Sequence, residues 1–189
     1  LSMNQQKMLL KSISTDSYYV LKDVDKNEKM QIIVTLIRLL STLNQTVLLT
    51  SNSHSSLDNI LLELITYKID FLRIGKVNRI NKNVHDYADQ NRTANIKNLN
   101  ELEEFYDKRK IVATTCNGVT SHPIFERKMF HFCIIDEASQ ILIPTILGPM
   151  FNAKRFIIIG DPKQLTPVIR SQSAKLIGIH TSLIEELFL

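Results

Sequence analysis

An α/β domain, built on a mainly parallel sheet with helices on both faces, is the fold this sequence predicts. Strand-like runs alternate with helix-period segments at short intervals along the chain. The strand-like runs are continuously apolar, as strands covered on both faces must be. Two of them stop abruptly at polar clusters, Asp136–Glu137 and Gly160–Asp161. Parallel strands that end this way deliver polar groups to the C-terminal edge of the sheet, where open α/β folds bind ligands.

The elements follow in order. Tyr18–Lys22 is rich in aromatic and β-branched residues and reads as a strand. Lys29–Thr42 spaces Ile32, Ile33, Leu36, Ile37 and Leu40 as one face of a helix. Thr46–Thr50 is a second buried strand. Ser55–Tyr67 is a helix with Leu57, Ile60, Leu61 and Leu64 on its apolar stripe, and Phe71–Ile74 is a third strand. Lys76–Asn98, polar and rich in asparagine and charge, reads as a surface excursion with marginal structure. Leu99–Lys110 is an amphipathic helix, and Ile111–Cys116, Phe132–Ile135 and Phe156–Ile159 are further strands. Ser182–Leu189 is an apolar, helix-like run on which the chain stops.

Composition sets outer limits. With 189 residues, 44% apolar and 22% charged, the chain suits one globular domain with a sizeable core. A net charge of +4 permits a nucleic-acid partner without requiring one. Cys116 and Cys133 are too few and too far apart for a disulfide framework or a zinc site, and read as buried thiols. No apolar run approaches the ~20 residues of a membrane span. The first residues lack the order of a signal peptide. The whole reads as a piece of something longer.

The chemistry concentrates at two strand ends. Asp136 and Glu137, then Gly160, Asp161 and Gln164, supply two acids and a polar sensor to one sheet edge. That is the layout of a site that holds a metal–nucleotide and activates water. Acids at strand ends also serve as helix caps, so the pair alone does not decide. Two further loops, residues 50–55 and 114–117, carry small hydroxyl and amide side chains suited to phosphate oxygens. Alone, each reads more often as a helix N-cap. His54 by itself reads better as a polar packing residue than as a catalyst.

IIDEASQ (134–140), GDPKQLTP (160–167), LLTSNSHSSLDNIL (48–61) and IVATTC (111–116) together resemble motifs II, III, Ia and Ic of the superfamily 1B helicases. The likeness is strongest to the helicase portion of the eukaryotic replication helicase/nucleases and extends over nearly the whole chain. It implies a RecA-like P-loop NTPase domain, the first of that family's two motor lobes, over 1–189. By this resemblance Gln5 reads adenine, Asp136 holds Mg2+ and Glu137 activates the attacking water. Gln164 senses the γ-phosphate of ATP, with Gly160 and Asp161 as its supporting turn. Thr50, Ser51, His54, Thr114 and Thr115 match positions facing single-stranded DNA. The implied partners are that DNA, a second lobe and an upstream nuclease domain, with no membrane. The implied location is the nucleus, with mitochondria as a second possibility.

The chain departs from the family where the phosphate loop belongs. Asp23-Val24-Asp25-Lys26-Asn27-Glu28-Lys29-Met30 stands in place of a glycine-rich run ending in Gly-Lys-Thr-Thr, and Lys29 alone survives. Glycines let backbone N–H groups wrap phosphates, and a hydroxyl binds magnesium. Asp23, Lys26 and Glu28 fill the glycine positions, and Met30 offers no hydroxyl. Each acid brought close to the polyanion costs on the order of 1 kcal/mol even when well solvated. ATP binding is therefore expected to be weakened. The alternatives this leaves open are a non-catalytic nucleic-acid-binding or assembly module, a decayed fragment, or a wrongly joined exon.

Overall fold

A computed structural model describes residues 2–22, 24–161, 163, 166–169 and 181–188, with Lys26 described by its backbone alone. Its strands are β1 (Tyr18–Leu21), β2 (Val47–Ser51), β3 (Leu72–Arg73), β4 (Ile111–Thr115), β5 (Phe130–Asp136) and β6 (Ala153–Ile159). They form one sheet in the order β1-β6-β5-β2-β4-β3, every pair parallel. The helices are α1 (Met3–Ser14), α2 (Lys26–Thr42), α3 (His54–Thr66), α4 (Asp89–Thr93), α5 (Leu99–Asp107), α6 (Ile124–Arg127), α7 (Ile143–Phe151) and α8 (Leu183–Leu187). The fold class read from the sequence is the observed one.

Continuous apolar strands follow from a core on each face. Val47 and Leu49 point to a cluster with Ile33, Leu36 and Ile37 of α2 and Leu57, Ile60 and Leu61 of α3. Leu48, between them, points to the opposite cluster, with Ile146 of α7, Ile124 of α6 and Ile184 of α8. Successive strand residues face opposite ways. Both faces being covered, both sets are apolar.

Several boundaries differ from the sequence reading, each for a local reason. The helix α1 was not legible in hydrophobic spacing. It is started by a reciprocal cap in which Ser2 Oγ accepts from Gln5 N and Gln5 Oε1 accepts from Ser2 N. Helix α2 begins at Lys26, not Lys29, so the segment aligned with a phosphate loop is already helical from Lys26 onward. Asp25 and Glu28 favour that start, since acids are stabilising at a helix N-terminus. Helix α5 stops at Asp107 because the chain must straighten for Lys110 O to accept Val47 N. The third strand shrinks to Leu72–Arg73.

The segment 76–98 forms short helical turns at Val77–Arg79, Lys82–Tyr87 and α4. Most of its side chains face solvent, but Ile80, Val84 and Ala88 are buried in the first core cluster. Tyr87 stacks on Phe71 with ring centroids 4.3 Å apart. Asp89 Oδ2 holds His122 Nε2 at 3.3 Å, tying α4 to the loop before α6. A few anchors thus order a polar stretch that periodicity alone reads as marginal.

Candidate active site

The two strand ends singled out by sequence lie side by side. Asp136 closes β5 in register with Ser51 at the end of β2, and Ser51 in turn with Thr115 at the end of β4. The next residue, Glu137, adopts a left-handed backbone (φ 56°, ψ 32°), which is uncommon for a side chain other than glycine. This reverses the chain into the turn Ala138–Gln140. That turn packs against Gly160 at the end of β6: a Cβ on Gly160 would stand 2.9 Å from Ser139 N and 2.7 Å from Ile184 Cδ1. Only glycine fits this approach. Strain at Glu137 and the tight seat of Gly160 hold the acids beside Asp161.

An open cavity of about 380 Å³ lies over this edge, between the start of α2 and the start of α3. Its polar lining includes Lys29, Ser56, Asp136, Glu137, Gln140 and Asp161. Asp136 is almost wholly buried, with its side chain 1% exposed. Its Oδ1 lies 2.8 Å from Lys29 Nζ with no hydrogen bond aligned on it, and its Oδ2 accepts from Ser56 Oγ at 3.1 Å. Glu137 Oε2 accepts from Ser51 Oγ at 3.3 Å. Asp161 Oδ1 caps its own turn by accepting from Lys163 N at 2.9 Å. The site therefore joins one buried carboxylate paired with a lysine and a serine hydroxyl, one half-buried carboxylate, and the same lysine within reach of the cavity.

The structure sorts the remaining sequence-predicted residues. Gln5 is buried, with Oε1 occupied by Ser2 N, and is not among the residues lining the cavity. Gln164 lies outside the described residues. Thr50, Ser51, Thr114 and Thr115, expected on a DNA-facing side, are all buried. The reason is their place on the interior strands β2 and β4, with the turn Cys116–Ser121 folded over them. Gly118 of that turn sits so close that a Cβ there would stand 2.1 Å from Thr114 Oγ1. Neither Thr50 Oγ1 nor Thr114 Oγ1 has an aligned hydrogen bond. The Cys116 and Cys133 thiols beside Thr50 are buried and unpaired, and burial pushes the Cys116 thiol up to about 11.

His54 belongs to a different arrangement, which the sequence did not reveal. Arg73 has no exposed side-chain surface; its Nε donates to Asp58 Oδ1 at 2.8 Å and its Nη1 to Ile74 O at 2.7 Å. His54 Nδ1 lies 2.9 Å from Arg73 Nη2. Burial first, and the Arg73 guanidinium second, hold the His54 imidazole below its ordinary pKa of 6.5. A neutral ring accepting from Arg73 is the state this favours. Ser56 was also missed, because the hydroxyl-rich loop was read as ending one residue earlier; the spacing Ser53-x-x-Ser56 at a helix start was the available signal.

A model of the AAA domain family matches residues 89–172. The human DNA replication ATP-dependent helicase/nuclease DNA2 is 41% identical over 189 residues, 99% of this chain and 18% of that protein. The Saccharomyces cerevisiae protein of the same name is 33% identical over 97% of this chain and 12% of its own length. Along nearly its whole length the chain is similar to one segment of these replication helicase/nucleases. It spans less than a fifth of these relatives. In fold alone it also resembles the UvsW helicase of bacteriophage T4, with a TM-score of 0.59 at 12% identity over 84% of this chain and 52% of that one. Among the described residues no helix is long and apolar enough to cross a membrane.

Proposed function

We propose that this chain is the first motor lobe of an ATP-dependent DNA helicase, in which ATP hydrolysis drives movement along single-stranded DNA. One observation carries the reading: Asp136, Glu137, Lys29 and Asp161, drawn from three elements, converge on a single cavity. Homology to the helicase/nucleases supports the same assignment.

The donor set fits a hard divalent cation. Magnesium is typically held by one or two carboxylates plus substrate phosphates, and Asp136 presents a buried oxygen with no aligned donor. Asp136 would hold the ion, which supplies charge neutralisation at the phosphates. Glu137, half-buried and held among the described residues by one long bond from Ser51, is placed to take a proton from water. Lys29 would leave Asp136 for the phosphates, since both lie at the same cavity. No glycine run surrounds Lys29, so nucleotide affinity is expected in the millimolar range. The family's second lobe would complete the site with an arginine. An upstream nuclease domain, and a nuclear setting with DNA repair beside replication, follow by the same resemblance.

Single-stranded DNA is the proposed track at this sheet edge. Because Thr50 and Thr114 are buried, they would support the loops, and exposed Asn52 and Asn117 at the loop tips would meet the strand. The test is calorimetric titration of the chain with ATP, with and without magnesium. Binding that requires magnesium, is kept by Glu137→Gln and loses its magnesium dependence in Asp136→Asn supports the reading. No magnesium-dependent binding at millimolar ATP overturns it and favours a module that has lost its nucleotide site.

A further inference from the structure

The phosphate-loop position that ordinarily supplies magnesium with a hydroxyl is Met30 in this chain, and a thioether is a poor ligand for a hard cation. A hydroxyl is nonetheless present at the buried acid. Ser56, on the first turn of α3, donates to Asp136 Oδ2 at 3.1 Å, and both residues line the cavity. We propose that Ser56 supplies, from a different helix, the metal-ligating hydroxyl that the degenerate loop has lost. This rests on the reading of the cavity as a magnesium–nucleotide site.

Distances favour the assignment. Neighbouring ligands on an octahedral ion with bonds of ~2.0–2.1 Å stand roughly 2.9 Å apart. The observed separation of 3.1 Å therefore lets one ion touch both oxygens with little movement. Ser56 is also held in place from behind. Its main-chain N–H donates to Ser53 Oγ at 3.1 Å, which fixes the first turn of α3. Asp136 Oδ1 is buried and meets only the Lys29 ammonium at 2.8 Å among the described residues, so once Lys29 turns to the phosphates the carboxylate has coordinating capacity beyond the bond to Ser56. Among the described residues no group of three or more His, Cys, Asp or Glu could hold a metal by itself. A cation here thus depends on mixed oxygen ligands, of which a serine hydroxyl is one. Helix α3 takes the place of the loop because its N-terminus crosses the same sheet edge that β5 feeds.

The experiment uses the 189-residue chain with ADP and either Mn2+ or Cd2+ as the metal probe. Ser56→Ala should weaken Mn2+-dependent ADP binding about tenfold and be rescued by adding Met30→Thr. Ser56→Cys should turn the metal preference from Mn2+ toward Cd2+, because a thiolate is a soft ligand. A residue that merely packs against Asp136 would not change which metal is preferred. Wild-type binding that depends on Mn2+, with Ser56→Ala and Ser56→Cys indistinguishable from it, overturns this inference and leaves the motor-lobe reading standing. Absence of any metal-dependent binding in the wild type overturns both.

Discussion

Replacing Asp58 by asparagine removes the charge that neutralises Arg73, at a site with almost no solvent. Arg73 and Asp58 side chains are 0% and 4% exposed, and they meet at 2.8 Å. Asp58 Oδ2 also accepts from Asn81 N at 2.8 Å, so the carboxylate ties α3, β3 and the start of the 76–98 segment together. Arg73 cannot shed its charge, and its other contacts are neutral acceptors, Ile74 O and His54 Nδ1. Removing one partner of a buried pair typically costs about 3–5 kcal/mol, because the other is left uncompensated. That is about a fifth or more of the ~5–15 kcal/mol available to a domain. At ~2–4 °C per kcal/mol for a chain of this size, the melting temperature should fall by roughly 6–20 °C. Urea unfolding followed by circular dichroism measures the loss, as a lower midpoint with an unchanged slope. The double variant Asp58→Leu/Arg73→Met removes both charges and should recover most of it. About 1–3 kcal/mol should remain lost, since Asn81 N and Ile74 O lose their partners. A cost below about 1 kcal/mol for Asp58→Asn, or a double variant as unstable as the summed singles, would refute the reasoning.

Two further outcomes follow from the same geometry. His54 is held below its ordinary pKa of 6.5, so the unfolded chain binds its proton first as pH falls. Stability is therefore full above 6.5 and declines below it, and His54→Gln, which keeps an acceptor for Arg73, should flatten that decline in pH-dependent urea titrations. Gly160→Ala places a Cβ 2.9 Å from the backbone nitrogen of Ser139, which cannot rotate away as Ile184 can. It should cost about 1–3 kcal/mol in thermal scans and weaken nucleotide binding, because the turn after Glu137 must shift.

The legible and illegible parts of this fold differ in physical kind. Strands β2, β4, β5 and β6 announced themselves because a strand covered on both faces needs an unbroken apolar run. Their polar C-terminal residues located the candidate site for the same reason, since carboxylates stop such a run only where it reaches an open edge. Helix α1 was hidden because its start depends on a reciprocal Ser2–Gln5 cap while much of its length is exposed. Arg73 was hidden inside the apolar run Phe71–Ile74, where its charge is tolerable only because Asp58 approaches from α3. The segment 76–98 read as marginal because its few buried anchors are spaced by turns, with no helical or strand period.

The order of chemistry along the chain, acids at the end of β5, glycine and acid after β6, a lysine in the first turn of α2, was determined by sequence alone. It was legible because such spacings are local and survive translation into any compact fold. Which groups touch was decided only by tertiary structure. Lys29 on Asp136, Ser56 on the same carboxylate, and the burial of Thr50 and Thr114 all arise between residues far apart in sequence. Hydrogen bonds and solvent exclusion depend on distances of a few ångströms, and those are fixed by how the helices seat on the sheet.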